Sequence, residues 1–358
     1  MTPLPLDALD TPFLCVDPVV LDRNLAKQAE RARTAGIALR PHAKTHKCIE
    51  IARRQIDSGA VGLTVATIGE AEVFAAAGFD DLFIAYPLWV TDSKALRLRA
   101  VAEQAALTLA VDSAAGAQQL AAALGPVADQ VSVLVEIDSG HHRTGVDPTN
   151  AGQLARAAVA AGLTVTGVFT FPGHGYAPDA RSAAAAGEAQ ALTIAADQLR
   201  SAAIECTVIS GGSTPTLDAA DTAALTEIRP GVYPFNDAQQ IELGSCDFGD
   251  VALTAVTTVV HRRDRIAVLD AGSKILGADR APWATGYGRI VGVPDARITA
   301  LSEHHATVEF PDTAPPLGSR VSVIPNHVCT AVNLVDQLIV DAETGPISWA
   351  VAARGSCT

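Results

Sequence analysis

Val131-Ser132-Val133-Leu134-Val135-Glu136-Ile137-Asp138-Ser139-Gly140-His141-His142-Arg143-Thr144-Gly145 decides the fold. A valine-rich run of strand length gives way at Asp138 to a polar stretch punctuated by glycine, the sign of a strand ending in a loop. Working outward, strand-like runs recur upstream at 37–43, 61–66, 82–86 and 107–111, and downstream at 165–170, 207–210 and near Ile228. Alanine-rich segments of helical periodicity lie between them, the rhythm of repeated βα units. A doubly wound open sheet would give the same local pattern, and the count of eight runs favours a closed (β/α)8 TIM barrel. In such a barrel the loops after the strands meet at one mouth, where the chemistry is placed.

Beyond about residue 245 the texture changes to alternating, β-branched runs at 251–261, 265–269, 298–310, 320–325, 338–340 and 347–352. An all-β second domain is expected there. Asp10-Thr11-Pro12-Phe13-Leu14-Cys15-Val16-Asp17 reads as one more short strand, placed to pair with that domain. The expected division is an N-terminal strand segment 1–18, a barrel 19–243 and a C-terminal β domain 244–358.

A hydrophobic fraction of 49% with 18% charged residues is that of a packed globular protein, and 358 residues allow two cores. The net charge of −13 argues against nucleic acid and anionic membranes as partners, leaving a small molecule as substrate. Met1 to Asp10 carries neither a basic nor an apolar leader region, and no apolar run reaches membrane-spanning length, so a cytoplasmic protein is expected. Six scattered cysteines read as reduced thiols.

Lys44 ends the first run inside Arg40-Pro41-His42-Ala43-Lys44-Thr45-His46-Lys47. Neighbouring cations and partial burial both favour the free amine, the form that attacks a carbonyl; a solvated basic turn is the bland alternative. Arg143 lies just past the fifth run, where it can fix an anionic oxygen or pair with Glu136 or Asp138. His174 and Tyr176, in Thr170-Phe171-Pro172-Gly173-His174-Gly175-Tyr176, bring an imidazole and a phenol to the mouth for proton transfer or ring stacking. Gly211-Gly212-Ser213-Thr214 offers amides and hydroxyls to an anion, and Arg229-Pro230-Gly231-Val232-Tyr233 is a second strand-end turn of the same kind. His327 and Cys329, two apart in a strand-like run, would share a face and could grip a metal, with nitrogen plus sulfur favouring zinc; on spacing alone the ordinary reading, a buried cysteine beside a hydrogen-bonded histidine, comes first.

Taken together and in this order, these motifs resemble the fold-type III pyridoxal-phosphate enzymes, in the D-threonine aldolase and D-serine dehydratase group related to alanine racemases. The match runs from Thr11-Pro12 to Val332-Asn333-Leu334. The resemblance implies that Lys44 joins the aldehyde of pyridoxal 5'-phosphate and that Arg143 contacts the ring's phenolic oxygen. It also implies that Gly212, Ser213, Thr214, Gly231 and Val232 cradle the phosphate, with Tyr176 and Tyr233 beside the cofactor, and that Arg229 faces the pyridine nitrogen. His327 and Cys329 would hold a divalent metal, zinc ahead of manganese or magnesium. The implied activity is a lyase on D-3-hydroxy amino acids of the D-serine or D-threonine dehydratase type. D-threonine aldolase, a racemase and a non-catalytic pyridoxal-phosphate carrier are the alternatives, and a homodimer is the implied assembly. Pro172 stands where relatives often have a further histidine, which leaves the acid–base partner of the substrate hydroxyl open between His174 and another group.

Overall fold

The computed structural model describes residues 5–358, so the first four residues of the expected N-terminal segment lie outside it. The chain forms two compact units. One comprises residues 28–44, 52–231 and 356–358, and the other the residues up to Lys27 together with 45–51 and 232–355. This division departs from the expected boundaries at 18/19 and 243/244 because burial, not texture, sets it. Leu21, Leu25, Val232, Tyr233 and Phe235 all bury their side chains in the core of the β unit.

Strand β1 (Phe13–Val16) belongs to the β unit, and the next eight form the barrel unit: β2 (Ala38–Leu39), β3 (Leu63–Val65), β4 (Asp81–Pro87), β5 (Ala106–Val111), β6 (Ser132–Glu136), β7 (Thr164–Phe169), β8 (Val208–Gly211) and β9 (Glu227–Ile228). All eight are parallel, in the order β2-β9-β8-β7-β6-β5-β4-β3. The ends meet, since Val61 N donates to Leu39 O and Thr64 N to Pro41 O, both at 2.9 Å, and His42 bridges Thr64 in parallel. Closure removes both sheet edges, as the strand count anticipates. Inside, Phe83, Ala110, Leu134 and Phe169 pack together, the two rings edge to face with centroids 5.0 Å apart.

Polar residues at the strand ends start the outer helices. Thr67, Thr91 and Ser113 each accept from a backbone N–H three residues on, of Glu70, Lys94 and Gly116, and so cap the helices Ile68–Ala76, Asp92–Ala102 and Ala114–Leu124. Each such cap is worth about 1 kcal/mol. The helix Arg181–Ser201 buries Ala184, Glu188, Ala191, Ala195 and Leu199, a stripe at three- and four-residue spacing with one carboxyl inside it.

In the β unit, β10 (Leu253–Arg263), β11 (Ile266–Leu269), β12 (Gly288–Ile290), β13 (Arg297–Leu301), β14 (Ala306–Glu309), β15 (Arg320–Pro325), β16 (Gln337–Val340) and β17 (Ile347–Ala350) join β1 in one sheet. As expected, β1 pairs within this unit, antiparallel to β10 and parallel to β16. Two readings are corrected here. The single run 298–310 is two strands, β13 and β14, paired antiparallel around a turn in which Ser302 N donates to His305 O. His327-Val328-Cys329 is not a strand. His327 is the extended N-cap of a short helix, Val328–Asn333, that follows β15 directly. Among the described residues no helix is long and apolar enough to cross a membrane.

Gly167 in β7 tests the barrel packing, because a Cβ there would sit 1.9 Å from the carbonyl oxygen of its β8 partner Val208. Gly167→Ala should lower stability in urea denaturation by roughly 1–3 kcal/mol, the usual range for overpacking. A midpoint equal to wild type would contradict the close strand approach.

Candidate active site

At the carboxyl-terminal ends of the barrel strands lies a cavity of about 320 Å³. Lys44, Arg143 and Arg229 all line it, with His42, Tyr86 and Phe171, and no carboxylate is among its described lining residues. Three cations around an aromatic wall form a pocket for an anionic, planar molecule. Phe171 organises two of them. The Lys44 Nζ lies 5.6 Å and the Arg143 guanidinium 5.4 Å from its ring centroid, while His141 packs edge-on at 5.8 Å. His42, passed over in sequence as part of a basic stretch, accepts at Nδ1 from the Lys44 N–H at 3.4 Å. Lys47, the competing amine of that stretch, instead donates from Nζ to Asn333 Oδ1 at 2.8 Å in the β unit.

Arg229 is only 5% exposed. Its Nε donates to Ser210 Oγ at 2.7 Å, its guanidinium also donates to the Thr170 carbonyl, and it stacks over Phe83 and Phe169 at 5.6 and 5.2 Å. Ser210 donates in turn to Glu227 at 2.6 Å, Glu227 accepts from Arg40 Nε at 2.6 Å, and Arg40 is bidentate to Asp81. Burial pushes the Arg229 pKa down, while Glu227, Glu188 and Glu136 oppose that fall. Sequence reading found Arg229 but not this supporting chain, whose bonded partners lie as much as 187 residues apart.

The glycine-rich turn after β8 is arranged differently from a simple anion nest. Gly212 has φ +80°, where a side chain is strained, and its N–H donates to Glu188 Oε1 at 2.7 Å. Ser213 N donates to Thr216 Oγ1 at 3.1 Å and the two hydroxyls lie 2.9 Å apart. The expected amide donor Gly212 is thus committed to Glu188, and the Ser213 hydroxyl is engaged with Thr216. Of the second turn, Gly231 ends the barrel unit, whereas Val232 and Tyr233 pack in the core of the β unit. His174 and Tyr176 are not among the cavity's lining residues. The His174 ring packs against Gly140, its Nδ1 buried without a hydrogen bond, and Tyr176 tilts against Phe171 at 6.1 Å. His141 is likewise not among the lining residues, and burial, then Arg143 and His174, lower its pKa.

In the β unit, His327 hydrogen-bonds Cys329, bringing the imidazole and thiol to one point. The Cys329 Sγ donates to Thr45 Oγ1 at 3.2 Å, and His327 Nδ1 is bonded to Asp279 Oδ2. Burial acts to lower the His327 pKa, but Cys329 and Asp279 outweigh it and hold it at about 11. No group of three or more His, Cys, Asp or Glu side chains among the described residues is placed to hold a metal, so this pair would leave coordination positions open. Asp237, missed in sequence, is 1% exposed and accepts from Gln240 N at 2.9 Å and from Val328 N at 3.1 Å. It therefore pins the peptide between the two candidate ligands.

Residues 16–238 match the family model described as alanine racemase, N-terminal domain, and residues 252–340 that described as a putative serine dehydratase domain. The chain is 36% identical over 350 residues to D-threo-3-hydroxyaspartate dehydratase of Delftia sp., covering 90% of this chain and 91% of that one. It is 35% identical over 372 residues to D-threonine aldolase of Arthrobacter sp., covering 98% and 94%. The solved structure of the Delftia dehydratase superposes with a TM-score of 0.89 at 32% identity, covering 97% of this chain and 98% of that one. D-Threonine aldolase from Filomicrobium marinum gives 0.89 at 30% identity, covering 100% and 99%. The same dehydratase has been solved as a histidine-to-alanine variant and as a cysteine-to-alanine variant in the metal-free form, the two positions lying two residues apart.

Burial pushes the Glu188 carboxyl up to about 7. Below that pH the folded protein keeps a proton that the unfolded chain releases in the ordinary carboxylate range, so this contribution to stability is lost as pH rises through about 7. Glu188→Gln should flatten the decline in urea midpoint between about pH 5 and about pH 8 relative to wild type. An identical decline in both proteins would show that Glu188 is not the group responsible.

Proposed function

We propose, for a chain that belongs to the fold-type III pyridoxal-phosphate lyases of the D-serine dehydratase and D-threonine aldolase group and whose family acts on D-hydroxy amino acids, that the reaction is a metal-assisted dehydration. The substrate would be a D-3-hydroxy amino acid such as D-serine, D-threonine or D-threo-3-hydroxyaspartate. It would lose its Cα proton and its 3-hydroxyl as water, and the released enamine would take up water to give a 2-oxo acid and ammonia. The observation that carries this reading is the His327–Cys329 pair, a nitrogen and a thiol meeting at one point. It is supported by the metal-free cysteine variant of D-threo-3-hydroxyaspartate dehydratase, with its histidine and cysteine at the same spacing.

The barrel cavity fits pyridoxal 5'-phosphate on its own residues: three cations, an aromatic wall and no lining carboxylate. Bound there, the cofactor supplies an aldehyde for the substrate amine and a ring that draws electrons from Cα, and a divalent metal, zinc first, supplies a Lewis acid for the 3-hydroxyl. Lys44 is the amine at this cavity, and its Nζ serves as anchor and then as carrier of the Cα proton. Arg143 and Arg229 hold anionic and basic ring atoms by charge-assisted hydrogen bonds. Phe171 walls the pocket and keeps water from the two cations it faces. His327 and Cys329 would hold the metal. His174 lies off the cavity lining, which weakens it as the proton acceptor at the substrate hydroxyl. A two-fold homodimer, the commonest closed assembly, belongs to the same reading.

The aldolase reading keeps one specific support, the 35% identity over 98% of the chain to D-threonine aldolase. The two reactions part at the products. Purified protein with pyridoxal phosphate and zinc, offered D-serine, D-threonine and D-threo-3-hydroxyaspartate, should release ammonia and the matching 2-oxo acid. Chelation or Cys329→Ala should stop turnover while the visible absorbance of bound cofactor persists. Glycine with an aldehyde as the products would establish the aldolase, and full turnover in metal-free protein would remove the metal role.

A further inference from the structure

The candidate metal pair has a partner that motif spacing does not point to. Asp279 lies 48 residues before His327, in the loop that follows the helix Ser273–Leu276. Its Oδ2 is bonded to His327 Nδ1 and also accepts from Thr330 Oγ1 at 3.0 Å. Thr330 is the third residue of the helix Val328–Asn333 that His327 caps, so one carboxylate oxygen ties the ring of the first candidate ligand to the helix carrying the second. Gly277, next to this loop, has φ +75°, and a Cβ there would meet Thr330 at 2.9 Å and Asp279 Oδ1 at 3.2 Å. The loop is therefore packed closely against the pair.

We infer that Asp279 is a positioning residue for a metal at His327 and Cys329, fixing the imidazole so that Nδ1 faces the carboxylate and Nε2 is the coordinating nitrogen. This rests on the metal reading of the pair given above. A neutral imidazole carries one N–H and one lone pair, and a carboxylate bound at Nδ1 demands the N–H there. The lone pair is then at Nε2, on the side of the ring away from Asp279, and the carboxylate raises its basicity as a ligand. Asp279 itself does not join a three-residue ligand group with the pair, which separates this role from direct coordination. Asp237 complements it from the main chain by holding the Val328 N–H.

The experiment is zinc affinity, measured by competition with a chromophoric chelator at neutral pH on the full-length protein loaded with pyridoxal phosphate. Asp279→Ala should bind zinc about 10–100-fold more weakly than wild type, the usual cost of removing such a partner. Asp279→Asn, whose amide oxygen can still accept from Nδ1, should recover part of that loss. Melting temperature and the visible cofactor band should match wild type in both variants. Equal or tighter zinc binding by Asp279→Ala would overturn the inference, since a carboxylate that merely paired with a protonated His327 would compete with the metal. Wild-type protein that binds no zinc would overturn the metal reading along with it.

Discussion

A guanidinium with 5% exposure at the centre of a barrel must be paired, and the pairing of Arg229 organises the rest of the barrel unit. The line Arg229–Ser210–Glu227–Arg40–Asp81 runs through strands or strand ends β9, β8, β2 and β4, so each charge has a hydrogen-bonded neighbour and none is stranded. Phe83 and Phe169 press on the guanidinium from β4 and β7. The strands that close the barrel are thus the ones that fix where a positive charge meets the cavity. Lys44 and Arg143 come to the same cavity from other loops, which makes its field cationic without any lining carboxylate to cancel it.

Much of this was legible in the sequence because it rests on local patterns. All eight barrel strands overlap the apolar runs that are followed by polar or glycine-rich ends, four of them reaching one residue beyond the run, and β1 was visible as a strand awaiting a partner. Lys44, Arg143 and Arg229 follow directly from standing just past such runs. What escaped reading depends on contacts between distant positions. Glu188 looks like one polar residue in an alanine-rich helix, yet at its helical position it faces inward and takes the Gly212 N–H. Asp237 and Asp279 look like ordinary loop acids and turn out to fix the backbone and the ring of the candidate metal pair.

The His327–Cys329 pair shows how a residue pair picked for one local structure can be carried by another. A spacing of two suggests one face of a strand, but the chain turns into a helix at Val328 because Asp237 supplies a buried acceptor for its first free N–H. The N-cap residue keeps extended dihedrals, φ −133° and ψ 99°, while Cys329 already lies in the helix, and this combination also brings the two side chains together. Val232 and Tyr233 are the opposite case. They were read as the end of a barrel turn and serve the core of the β unit.

The central claim is that the amine at the cationic cavity is Lys44. Reduction of the pyridoxal-phosphate-loaded protein with borohydride, followed by peptide mapping by mass spectrometry, tests it most directly. The account predicts the pyridoxyl mass on Lys44 alone, with the neighbouring Lys47 unmodified because its ammonium is held by Asn333. Label on Lys47 or another lysine, or none anywhere, would contradict it.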